Sequence, residues 1–190
     1  MTSPRSSILR RLLIFTGLAM YSFAFAEVFV RLVEPQLIMP RYVSGTAWGV
    51  RGNIPNARYW HHTPETSVEF RINSQGMRAD REYPLEPVDG VCRIAIFGDS
   101  FFMGYELDLR DAFPTQLELA LGRRGIRAET LNFSVSGFGT AEMLRAYEGY
   151  ARKFEPDLVL FQWQSSDFDD NVRAGLYRLE QGRLVVAATS

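Results

Sequence analysis

The first apolar block of the chain is continuous rather than periodic. Residues 12–26 carry no charge, and after Glu27 the run resumes as Val28-Phe29-Val30, giving nineteen positions from 12 to 30. That length approaches the roughly 20 residues that carry a helix across a bilayer, and it predicts a transmembrane segment within residues 1–34. Arg5, Arg10 and Arg11 flank its start. Basic residues on that side predict a cytoplasmic N-terminus and a remainder on the periplasmic or extracellular side. Glu27 falls near the outer end, where water and headgroups reach it. Ala24-Phe25-Ala26 offers a signal-peptidase pattern, which would release a secreted chain after Ala26. The run is long for a signal peptide and continues past that point, which favours an uncleaved anchor.

Residues 35–90 lose all long periodicity. Prolines at 35, 40, 55, 64, 84 and 87 and glycines at 45, 49, 52, 76 and 90 interrupt them. Val68-Glu69-Phe70-Arg71-Ile72 alternates as a half-buried strand does, and Asn73-Ser74-Gln75-Gly76 reads as the turn after it. This lead-in is expected to pack on the main domain, with Tyr59-Trp60 as packing aromatics and His61-His62 as a surface pair.

Residues 91–190 are regular. A short apolar run over 93–97 predicts a buried strand, followed by a helix with Asp111 as N-cap and Phe113, Leu117, Ala120 and Leu121 on one face. Gly125 lies just past its end. A second strand is expected over 127–133. Thr140 then caps a helix bearing Met143, Leu144, Tyr147 and Ala151, stopped by Pro156. A third strand is expected over 157–163, and segments 176–180 and 183–186 flank Gln181-Gly182 as a hairpin. Strands alternating with helices predict right-handed β-α-β units, a parallel sheet and helices on both faces.

Charge and cysteine content narrow the function classes. The formal net charge is −1, Lys153 is the only lysine, and the arginines are interspersed with acids. Nucleic-acid binders usually carry a basic face, so none is expected as a partner. Cys92 is the single cysteine, so no intrachain disulfide forms, and its place at a strand start suggests a buried, inert thiol.

Open α/β sheets bind ligands at the carboxyl ends of their strands, which directs attention to three loops. The first reads Gly98-Asp99-Ser100-Phe101-Phe102-Met103-Gly104. It places a serine just past a strand, although Asp-Ser alone also suits a helix cap. The second, Asn132 to Thr140, contains Gly137, whose N–H can meet a developing oxyanion or simply ease a turn. The third, Gln164-Ser165-Ser166-Asp167-Phe168-Asp169-Asp170-Asn171, is dense in polar groups. Its aspartate spacing does not match a calcium loop and no histidine is near, so no metal is expected.

Taken together, Ile96 to Phe101, Asn132 to Thr140 and Gln164 to Asn171 resemble three successive blocks of the SGNH/GDSL hydrolase family. Ile72-Asn73-Ser74-Gln75-Gly76-Met77-Arg78 resembles a lead-in of its membrane-anchored bacterial members. The resemblance implies a three-layer, flavodoxin-like α/β sandwich with a parallel sheet, and a cofactor-free serine hydrolase acting on small-molecule or glycan O-acyl esters. It implies Ser100 as nucleophile, with the N–H groups of Ser100 and Gly137 in the oxyanion hole and Asp99 and Asp167 in support. The family's third donor is an asparagine, and Ser166 stands at that position here. The family's base is a histidine in a late Asp-x-x-His block, whereas both histidines of this sequence precede Ser100. The expectation is an N-terminal part of a longer hydrolase, its sheet incomplete at the C-terminus. An O-acyltransferase of the same fold and an inactive binding module are the alternatives.

Overall fold

The described residues form a long helix and an α/β unit. The computed structural model describes residues 4–33, 42–63 and 65–187. These fall into two units, Met1–Met39 and Pro40–Ser190. The boundary expected at residue 34 and the ending at 188–190 lie outside the described residues.

In the first unit, α1 (Pro4–Val33) runs for 30 residues. The most apolar 18-residue window of its stretch Ser7–Val33 has a mean hydropathy of 1.8, and no part of that window is buried. It is long and apolar enough to serve as a membrane anchor or a signal sequence. Glu27 is paired with Arg31 one turn later, at 2.7 Å, which offsets the acid's charge.

In the second unit, the short strands of the lead-in form two antiparallel hairpins. β1 (Val43–Gly45) pairs with β2 (Arg51–Asn53). β3 (Arg58–His62) pairs with β4 (Ser67–Arg71), setting Tyr59 against Phe70 and His61 against Val68. The expected turn follows, closed by Gly76 N–H to Asn73 O at 3.1 Å. Val68, Phe70 and Ile72 bury themselves with Met103 in a small cluster of their own.

The main sheet has the order β6-β5-β7, all parallel, from β5 (Cys92–Phe97), β6 (Ala128–Asn132) and β7 (Leu158–Phe161). On one face Ala95, Phe97 and Leu131 pack with Met143 and Ala146 of α4 (Thr140–Gly149), together with Met77 and Val50 of the lead-in. On the other, the Thr130 hydroxyl donates to Pro114 O of α3 (Phe113–Gly122) at 3.1 Å. There too the Asn132 amide reaches Phe102 O of α2 (Ser100–Met103) at 3.3 Å. The layers are therefore helix, sheet, helix, as expected. β7 departs from the expectation of full cover: Leu158 is 47% and Phe161 41% exposed. It is one of the two edge strands of this sheet and, among the described residues, pairs with β5 alone.

Three local readings shift. Asp111 closes a short 3-10 turn, Leu109–Asp111, and α3 starts after Ala112 with a proline in its first turn. The proline's missing N–H makes a side-chain cap less necessary there. Thr140 is the first residue of α4 rather than its cap, and the Glu142 carboxylate accepts the preceding Gly139 N–H at 3.2 Å. Cys92 is half-buried rather than buried, and is free. The last hairpin, β8 (Tyr177–Glu180) with β9 (Arg183–Val186), turns on Gln181 and Gly182, both at positive φ. Two such residues match the twist of paired strands.

Candidate active site

The loop leaving β5 is shaped by its neighbours. A side chain at Gly98 would run into the Gln162 carboxamide oxygen and the Phe102 side chain. Asp99 is the N-cap of α2, and its Oδ1 accepts the Phe101 N–H at 2.8 Å. Its Oδ2 accepts the Gln164 side-chain amide, and its own N–H donates to Gln162 Oε1 at 3.1 Å. Asp99 thus carries the capping role, and Ser100, half-buried at the first position of α2, does not.

The second and third loops are tied to the first. Val135 N–H donates to Gly98 O at 3.0 Å, and Gln162 N–H to Phe97 O at 2.8 Å. Gly137 is exposed at φ 75°, and its carbonyl accepts from Arg51, which also pairs with Glu142 at 3.3 Å. Ser134 is fully buried, with its hydroxyl unpartnered. Ser166 precedes α5 (Asp167–Ala174), is exposed, and makes no side-chain cap bond. Asn171 of α5 bonds Ala141 N–H at 2.8 Å and the Thr140 hydroxyl at 2.8 Å, joining α5 to α4.

Asp167 is nearly inaccessible. One of its oxygens accepts the Gln164 N–H at 3.2 Å, and the other has no partner. Burial pushes its pKa up, the Gln164 hydrogen bond opposes this, and the charges of Asp99 and Asp170 add to the rise. Ser100, Asp99, Gly137, Ser166 and Asp167 therefore lie on three mutually bonded loops at the carboxyl edge of one sheet. The structure shows no hydrogen bond among Ser100, Gly137 and Ser166 themselves. Among the described residues, no group of three or more His, Cys, Asp or Glu is arranged to hold a metal ion.

Sequence reasoning overlooked several contributors. Gln162 and Gln164 bind Asp99 from the third loop; a polar Gln-x-Gln ending an apolar strand was the available signal. Asn53 donates to Ser134 O at 3.0 Å and to Gly76 O at 3.2 Å, joining the lead-in to the second loop. The paired histidines are not both at the surface. Strand alternation turns His62 outward, while His61 is buried against the rings of Tyr105 and Phe70. His61 Nε2 lies 3.7 Å from a Glu106 carboxylate oxygen. The same alternation leaves Trp60 exposed and stacks Tyr59 on Phe70 at 5.2 Å.

These elements define an α/β chain with a serine at the carboxyl edge of its central strand. Among solved structures it is similar to AlinE4, described as an SGNH-hydrolase family esterase. Identity is 31% over 46% of this chain and 49% of that one, with a TM-score of 0.40. Two mutants of the same esterase match at 31% and 29% identity, with TM-scores of 0.38 and 0.36; each match covers 47% of this chain and 46% of the mutant. The chain spans about half the length of these structures. No family model matches the sequence, and no curated protein does.

Proposed function

We propose that the chain carries the nucleophile and oxyanion donors of a serine ester hydrolase of the SGNH type, acting on O-acyl esters. The observation that carries this reading is the division of labour at the end of β5: Asp99 caps α2, which leaves the Ser100 hydroxyl without a structural hydrogen bond among the described residues. In the reaction, Ser100 Oγ bonds to the ester carbonyl carbon and the alkoxy C–O bond breaks. The alcohol leaves with a proton, and water then cleaves the acyl-serine to give the acid. The N–H groups of Ser100 and Gly137, with the Ser166 hydroxyl, are the proposed donors to the tetrahedral oxyanion. Asp99 holds the first and third loops together, and Asp167 orders the third. A proton acceptor for Oγ is required as well, and neither histidine bonds to Ser100 among the described contacts.

The apolar helix α1 is proposed to anchor the protein with its α/β unit outside the cytoplasm. Cell-envelope or carbohydrate O-acyl esters are the substrates that suit that place. Ser166, standing where the family it resembles has an asparagine donor, favours one second reading, a binding module of the same fold without catalysis. A fluorophosphonate probe applied to the detergent-solubilised full-length protein separates the two. The hydrolase reading expects covalent label on Ser100, none on Ser100→Ala, and an unfolding free energy within about 0.5 kcal/mol of the parent for that variant. A folded parent that takes no label refutes it.

A further inference from the structure

Arg78 belongs to the lead-in, yet its side chain serves the loop that leaves the Ser100 helix. It is 2% exposed. Nη1 donates to Met103 O at 2.8 Å and to the Gly104 carbonyl, and Nη2 donates to the Leu107 carbonyl. Its guanidinium carbon lies 3.9 Å from the centre of the buried Phe70 ring. Burial lowers its pKa to about 10, with Tyr59 and Asp108 acting the other way, so it remains a cation at neutral pH.

Of the carbonyls it binds, Met103 O is the last of α2, Gly104 O belongs to the C-cap residue and also accepts the Leu107 N–H at 3.0 Å, and Leu107 O ends the turn that follows. A four-residue helix is not stable on its own, and the last carbonyls of any helix lack intrahelical partners. Asp99 holds the N-terminal end of α2. At the other end, Gly104 turns the chain at φ 77°, and a side chain there would lie 2.7 Å from Arg78 Nη1 and from Ala112 Cβ. The turn is closed by Gly104 N–H to Phe101 O at 3.0 Å and Tyr105 N–H to Ser100 O at 2.9 Å. The Ser100 backbone is therefore bonded directly into the segment that Arg78 holds.

We propose that Arg78 is a positioning residue for Ser100, fixing the short helix that presents the hydroxyl by holding the carbonyls of Met103, Gly104 and Leu107. Three separate acceptors match the planar fork of a guanidinium and not the single ammonium of lysine. The inference rests on the hydrolase reading of Ser100.

The test compares the full-length parent, Arg78→Lys and Arg78→Met in detergent. It measures the saturating rate of fluorophosphonate labelling, the probe's half-saturation concentration, and amide hydrogen exchange at Gly104 and Tyr105. Arg78→Met leaves buried carbonyls unpaired and carries the risk of not folding; Arg78→Lys keeps the charge and the stem. The expected result for Arg78→Lys is a saturating rate lower by about 10- to 100-fold, with half-saturation within twofold of the parent. Exchange at Gly104 and Tyr105 should be faster while the β5 amides keep their protection. A folded Arg78→Met should be at least as slow. Arg78→Lys labelling at the parental rate, or unchanged exchange at Gly104 and Tyr105, overturns the positioning role alone. A folded parent that takes no label overturns the hydrolase reading, and the positioning role with it.

Discussion

Asp99 and Asp167 sit on loops that are bonded to one another, but their carboxylates are partnered differently. Asp99 has donors on both carboxylate oxygens, from Phe101 and Gln164. Asp167 has one donor and an unpartnered second oxygen. Its pKa is raised above 3.8, chiefly by burial and further by Asp99 and Asp170, against the opposing Gln164 hydrogen bond. A carboxyl that holds its proton more tightly in the folded state stabilises the fold most below its unfolded pKa. That contribution is lost as pH rises through the folded pKa. The affected window opens just above 3.8 and extends upward. Asp167→Asn keeps an oxygen for the Gln164 N–H and cannot ionise. Urea unfolding at pH 4 and pH 7 should therefore show a smaller loss of stability with rising pH in the variant than in the parent. Equal losses in the two proteins would show that the Asp167 carboxyl titrates as an ordinary surface acid.

Within the sheet, β5 holds an arginine where the apolar pattern alone would set only Ile, Ala and Phe. Arg93 is fully buried and pairs with Glu129 of β6 at 2.6 Å. It also donates to Leu85 O at 2.8 Å and Phe154 O at 2.7 Å, while its N–H meets the Asp157 carboxylate at 2.7 Å. One side chain thus joins the end of the lead-in, two strands and the turn before β7. Arg93→Met leaves Glu129 without its partner and should cost roughly 3–5 kcal/mol in denaturant unfolding. Adding Glu129→Leu should recover part of that loss, because the two residues act as one pair. A double variant whose loss equals the sum of the single losses would mean that the pair is not coupled. This contact also marks where the sequence stops being readable. Apolar runs and turn residues place β5, β6, β7 and the last hairpin to within a residue or two, because their signals are local. Gly98-Asp99-Ser100 and the two following loops stand out because they sit where such runs end. Arg93, Arg78 and Asn53 give no local sign. Each has a distant partner, 36, 25 and 81 residues away respectively, and a charged or polar residue in such a context reads as surface until the chain folds back on it. Asp111 was legible as a capping residue type, but the proline in the next turn shifts the helix start past it.

The whole chain combines an α/β unit with a helix that buries none of its apolar window, and the two make separate claims. The α/β unit has its own core, running from Val50 through Phe97 and Leu131 to Phe154. α1 exposes Leu12, Leu13, Phe15, Leu18, Phe23 and Phe25, among others. Apolar area is worth roughly 25 cal/mol per Å² when removed from water, so a helix this apolar gains far more from a bilayer than from solution. Anchor and cleaved signal share that driving force and differ in what remains afterwards. Expressed in a bacterial host, an anchored chain should pellet with membranes, resist carbonate extraction and retain residues 1–26 by mass spectrometry. A chain lacking residues 1–33 should lose carbonate-resistant attachment. Recovery of a chain that begins at Glu27 in the soluble fraction would replace the anchor with a signal sequence. Retention of residues 1–26 in a soluble chain would exclude both, and the proposed location outside the cytoplasm would then lose its support.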